Sequence, residues 1–163
     1  MDEAVIRRAL TAALRAPNHK LTNPWRFTRV GPTCRQELTE LGVALKAEQK
    51  SLSSAQVEKA LAKWSAPYAL IVVSTVLDDD PLRRREDFAA VACAIQNFSL
   101  SLWADGVGSK WSTAGVIRDP RCYELLGIDP AGEEILGLLW IGYADLVPDP
   151  PRRPLEEVLR ETQ

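Results

Sequence analysis

Residues 88 to 104 read FAAVACAIQNFSLSLWA, the least polar segment of the chain. Only Gln96, Asn97, Ser99 and Ser101 interrupt it. A bilayer span needs about 20 consecutive apolar residues, and this stretch falls short of that. It predicts instead a helix without a polar face, which has to be covered on every side. What covers it decides the fold.

Working outward, Gly106 and Gly108 are expected to end that helix, followed by a short strand, KWST, at 110–113 and a small helix at 119–126. ILGLLWIGY at 135–143 and PYALIVVSTV at 67–76 are apolar runs that suit strands buried on both faces. Between the second of these and the central helix, DDDPLRRRED (78–87) reads as a loop. Nearer the N-terminus, 33–50 and 54–65 predict amphipathic helices, buried along Leu38, Leu41 and Leu45 and along Val57, Leu61 and Trp64. Residues 2–16 predict a first helix, ended by Pro17, and WRFTRV after Pro24 alternates as a half-buried strand does. At the other end PDPPRRP leads into a last amphipathic piece, LEEVLRE.

About four strands in 163 residues fit a single domain over 1–163. Such a domain has little material left to surround the central helix. A second copy of the chain is the economical cover, so a homodimer through 88–104 is expected, against the alternative of a deep monomer core.

The 22 acidic and 20 basic residues leave a net charge of -2, which argues against nucleic acid or an anionic membrane and for a small partner. Cys34, Cys93 and Cys122 show no CxxC spacing and have one histidine to assist them, which argues against zinc or a disulfide framework and fits a reducing cytoplasm. The opening MDEAVIRRAL puts charges where a secretion signal carries its apolar core.

Self-sufficient catalysis has few candidates. There is no GxSxG elbow and only one possible histidine base. Asp78, Asp79 and Asp80 before a proline suit a solvated loop, and DGVGS at 105–109 lacks the third glycine of a dinucleotide fingerprint. An enzyme built from this chain would take its reactive step from a cofactor. The polar stretch RAPNHKLTNPWRF (15–27) carries that lone histidine, His19, close to Arg15 at a helix end. A guanidinium fork and an imidazole suit a ligand with phosphate, carbonyl or ring nitrogen groups. Equally, Arg15 could cap its own helix and His19 could satisfy loop carbonyls.

The string APNHKLTNPWRF resembles the loop of the nitroreductase family, flavin enzymes in which Ala-Pro precedes a short loop and a Pro-Trp-x-Phe strand. AVACAIQNFSLSLWADGVGSKWST is similar to that family's central helix, Gly-x-Gly turn and Trp strand, and LLGIDPAGEEILGLLWIGYAD to its late helix and last core strand. PRRPLEEVL resembles the family ending. The likeness is closest to a compact subgroup with Arg-Ala-Pro-x-His in the loop. It implies a dimeric α+β, nitroreductase-like fold, with a small central and mostly antiparallel sheet flanked by helices, holding FMN between two subunits. NAD(P)H would reduce the flavin, and a nitroaromatic, a quinone or a similar acceptor would reoxidise it, with no side chain needed as acid or base. By the same resemblance Arg15 and His19, and Trp111, Ser112 and Thr113, are expected to contact FMN. Arg153 would reach its phosphate, and Ser101, Leu102, Trp103, Ala104, Asp105 and Gly106 would meet the nicotinamide cofactor. An Arg-Arg-Ser-x-Arg segment that grips the phosphate in many members has no counterpart, since Arg7 and Arg8 lie inside the next helix. Either Arg153, Arg152 and Arg15 take over that task, or flavin binds weakly, or the natural start lies upstream of Met1. The rival function is a flavin-free dimeric relic with a binding or regulatory role.

Overall fold

The structure is a computed structural model that describes residues 1–162. Its centre is β2 (Ala69–Val76), built from the β-branched run of the sequence. Neighbours on both sides leave seven of its eight residues buried, as a strand with no polar alternation requires. β1 (Trp25–Arg29) and β4 (Glu133–Gly142) flank it, and β3 (Gly108–Ser112) pairs with the far side of β4. All three pairings are antiparallel, in the order β1-β2-β4-β3. The start of β1 therefore lies beside the end of β2, with Trp25 opposite Thr75, and β3 ends towards the same side, with Ser112 opposite Leu138. This end of the sheet is called the upper end below.

Five α-helices cover the two faces. On one lie α1 (Glu3–Ala13) and α4 (Pro81–Ala104), which bury Ile6, Ala9, Val91, Ala94, Phe98 and Leu102 against Ile71, Val73, Leu139 and Ile141. On the other, α2 (Pro32–Gln49), α3 (Ser54–Ser65) and α5 (Pro120–Leu126) bury Leu38, Leu41, Trp64 and Cys122 against Leu70, Val72 and Leu138. Trp64 meets Trp140 of β4 edge to face, with ring centroids 4.7 Å apart. Gly42 lets α2 approach that pair, because a Cβ there would come within 2.8 Å of the Trp64 ring. No helix among the described residues is long and apolar enough to cross a membrane.

Several elements differ from the sequence reading. The central helix begins seven residues early, at Pro81, so most of DDDPLRRRED is helical. Asp80 caps it by accepting from the Leu82 amide at 2.9 Å, and proline fits the first turn because it lacks only an N–H that would find no partner there. The first helix ends at Ala13, short of Pro17, and LEEVLRE forms only a single 3-10 turn, Leu155–Glu157. Within one chain the central helix is not covered all round. Phe88, Leu100 and Trp103 are about half exposed, at 48, 56 and 55 %.

Candidate functional site

The loop between α1 and β1 is held in an unusual backbone conformation. Lys20, Leu21 and Asn23 have φ of 55°, 54° and 47°, in the left-handed region that costs a residue with a Cβ roughly 1–2 kcal/mol. Such a conformation persists only where its surroundings over-determine it. Here the Asn23 amide donates to Asn18 Oδ1 at 3.0 Å and the Asn23 side-chain amide to the Leu21 carbonyl at 2.9 Å. The Thr22 hydroxyl donates to the buried carboxylate of Asp87 at 2.6 Å. His19 Nδ1 lies 2.8 Å from Glu86 Oε2. Two consecutive acids on α4 thus clamp the loop. Arg83 Nε stands 3.9 Å from the same Glu86 oxygen, one helical turn earlier.

Arg15 is exposed and makes no side-chain hydrogen bond or ion pair among the described residues, so it does not cap its own helix. His19 is bound to a carboxylate of α4 and not to loop carbonyls, with 57 % of its side chain exposed. Both groups face solvent near the upper end of the sheet, His19 beside the first turns of α4.

Trp111, Ser112 and Thr113 lie at the same end but at the opposite edge. Three strand spacings separate β1 from β3, about 14 Å. The Trp111 indole N–H donates to the Leu136 carbonyl at 3.2 Å, and its ring crosses Gly137, where a Cβ would meet it in a clash. Its side-chain donor is therefore committed to the fold, whereas β3, an edge strand, leaves half its main-chain groups unpaired along its outer side. Behind Ser112 a cavity of about 390 Å³ runs between β3, β4 and the α2–α3 layer, walled by Leu45, Trp64, Val116 and Trp140 and rimmed by Lys46, Lys63 and Lys110. Its volume falls within the range of small-molecule sites.

The remaining expected positions are scattered within one chain. Leu102 is wholly buried in the core. Asp105 is engaged by Arg8 at 3.0 Å, and Trp103 is exposed. Trp103 lies seventeen residues beyond Glu86 on α4, roughly 26 Å along its axis, so the 101–106 segment is far from His19 of the same chain. Arg153 is exposed in the C-terminal stretch. The sequence reading missed Glu86, Asp87 and Thr22. Asp80-Pro81 is an N-cap and first-turn pair, and it was the signal that could have placed both acids on a helix.

The model of the Nitroreductase family matches residues 1–143. Two proteins named "Putative NAD(P)H nitroreductase" are similar over most of their length. YfhC of Bacillus subtilis is 28 % identical over 94 % of this chain and 79 % of its own. YdjA of Escherichia coli K12 is 26 % identical over 89 % of this chain and 82 % of its own. Among solved structures, a nitroreductase-like family protein from Bacillus cereus superposes with a TM-score of 0.82 at 28 % identity, covering 99 % of this chain and 86 % of that one. The FMN and NADPH-dependent nitroreductase NfnB of Sphigopyxis sp. strain HMH shares the fold, with a TM-score of 0.77 at 18 % identity, covering 100 % of this chain and 91 % of that one.

Proposed function

The chain belongs to the nitroreductase family, and from that premise we propose that it is an FMN-dependent oxidoreductase of two identical subunits. It would take reducing equivalents from NAD(P)H and pass them to a nitroaromatic, a quinone or a similar acceptor in the cytoplasm. The observation that carries this reading is the division of the candidate cofactor groups. Arg15 and His19 stand at one edge of the sheet's upper end and Ser112 and Thr113 at the other, with the apolar stripe of α4 open on the same molecule. A two-fold axis along α4 would carry the α1–β1 loop of one subunit towards β3 of its partner and cover Phe88, Leu100 and Trp103.

The residues present suit a flavin. The ring's pyrimidine edge alternates carbonyl acceptors with an N–H donor, and it would meet the unpaired main-chain groups of the β3 edge together with the free nitrogen of His19. Arg15, Arg152 and Arg153 are exposed cations able to take the phosphate. When bound, FMN would supply the capacity to accept a hydride and to release electrons. The protein would orient the ring, keep one face open and place positive charge where reduction adds negative charge. No side chain is assigned as acid or base.

The test is titration of the purified protein with FMN, followed by the flavin's fluorescence. A quenching endpoint of one FMN per subunit, with NAD(P)H oxidation once an acceptor is added, supports the oxidoreductase. Protein that leaves FMN fluorescence unchanged is the flavin-free relic.

A further inference from the structure

Glu86 lies in the stretch that reads as a loop in the sequence, yet α4 brings its carboxylate to the only imidazole of the chain. We propose that Glu86 is a positioning residue that fixes which ring nitrogen of His19 meets the bound flavin. The inference rests on His19 being a cofactor contact, as argued above.

An ionised carboxylate only accepts hydrogen bonds, so at 2.8 Å the Nδ1 atom has to carry the proton. That holds for the neutral ring and for the charged one. The free polar atom is then Nε2, on a side chain 57 % exposed. A histidine's tautomer is set by the hydrogen bond its other nitrogen makes, and here that bond is to Glu86. Glu86 is steadied by Arg83 at 3.9 Å, and the loop carrying His19 is held three residues on by the bond from Thr22 to Asp87. The neutral ring therefore presents an acceptor at Nε2, suited to an N–H or O–H donor of the cofactor. Without Glu86 the proton is free to move to Nε2, and the polarity offered to the flavin reverses.

The presence of a single histidine makes the test unambiguous. In flavin-free protein labelled with 15N-histidine, at a pH of about 8 where an ordinary imidazole is neutral, the ring should show a protonated Nδ1 and a bare Nε2. Glu86→Gln, whose amide can accept from Nδ1 or donate to it, should no longer enforce a single tautomer. Glu86→Ala should shift the proton to Nε2 and lower FMN affinity about five- to tenfold, the scale of one hydrogen bond. Adding His19→Ala to Glu86→Ala should weaken binding no further than His19→Ala alone. A wild-type ring protonated at Nε2, or a Glu86→Ala variant with unchanged tautomer or unchanged affinity, overturns the proposal. Wild-type protein that binds FMN while His19→Ala binds equally well also sinks it and leaves the oxidoreductase reading intact. Wild-type protein that ignores FMN sinks both, although the tautomer measurement still reports on the Glu86–His19 pair.

Discussion

The hydroxyl of Thr22 donates a 2.6 Å hydrogen bond to Asp87, a carboxylate only 4 % exposed on the helix that packs beneath the loop. A buried carboxylate left without its donor costs about 1–3 kcal/mol, more than an average hydrogen bond is worth when both partners are free to meet water. Thr22→Val keeps the shape and removes the hydroxyl. It should lower the urea midpoint by a free energy in that range, whereas Asn18→Ala, with its side chain only half-buried, should cost less. Equal losses in the two variants would mean that the Asp87 contact does not hold the loop.

Gly137 lies under the indole of Trp111, whose Cδ1 a new Cβ would approach to 2.6 Å, with the Ser112 carbonyl at 3.0 Å. The ring cannot stay in place over an alanine. Gly137→Ala should therefore break the bond from Trp111 to Leu136 and destabilise the fold by about 1–3 kcal/mol through overpacking. It should also red-shift the tryptophan emission and weaken FMN binding by distorting β3. Unchanged emission would show that the indole does not depend on this glycine.

The strands were legible because their signals are local, whereas the α+β class came from the family resemblance. β2 is a single apolar run, and β1 alternates as a half-buried edge strand does. α4 was legible only in its apolar half. Its N-terminal stretch is charged, with arginines and then two acids after the Asp80 cap, and its helical start rests on one capping bond from Asp80 and on the fixed φ of Pro81. Composition outweighed that short signal, and with it went the two acids that clamp the loop. Arg15 and His19 stood out as rare polar groups in a short stretch, but the acids that hold the loop lie 65 residues from Thr22 and 67 from His19, a separation that no periodicity encodes. The exposed stripe of α4 was expected from its lack of a polar face, since a helix apolar all round needs cover that one small sheet cannot give.

Cys122 is fully buried, and burial pushes its thiol from the ordinary 9.0 up to about 11, with smaller contributions from Cys34 and Asp119. Between these values the unfolded thiol has lost its proton while the folded one keeps it. The unfolded state then binds fewer protons, so stability falls as pH rises. The contribution is fully present below pH 9 and declines towards pH 11. Urea midpoints of wild type and Cys122→Ala at pH values of about 8 and 10.5 should show a smaller alkaline decline in the variant. A thiol reagent at about pH 8 should modify Cys122 only on unfolding. Equal alkaline slopes in the two proteins would remove Cys122 from the account.

Leu100 and Trp103 stand 56 and 55 % exposed on the outer side of α4, one turn apart, with Phe88 three turns earlier at 48 %. Leu100 and Trp103 lie on the side of the helix turned away from Phe98, which packs on the sheet, and Phe88 lies on its flank. Apolar side chains of this size, left open along a rigid 24-residue helix, have most to gain from a second copy of the same surface, because a two-fold axis sets each stripe against its twin. A glutamate at position 100 would face its own symmetry mate across that seam and bury two like charges. Leu100→Glu should therefore convert a dimer into a monomer by sedimentation velocity at micromolar concentration, with helix content unchanged because the side chain is free of the chain's own core. FMN affinity should fall with the dimer, since Arg15 and His19 would no longer reach the partner's β3. A wild-type chain that sediments as a monomer, or a Leu100→Glu variant that stays dimeric and binds FMN normally, would place the cofactor groups on one subunit after all and end the shared-site reading.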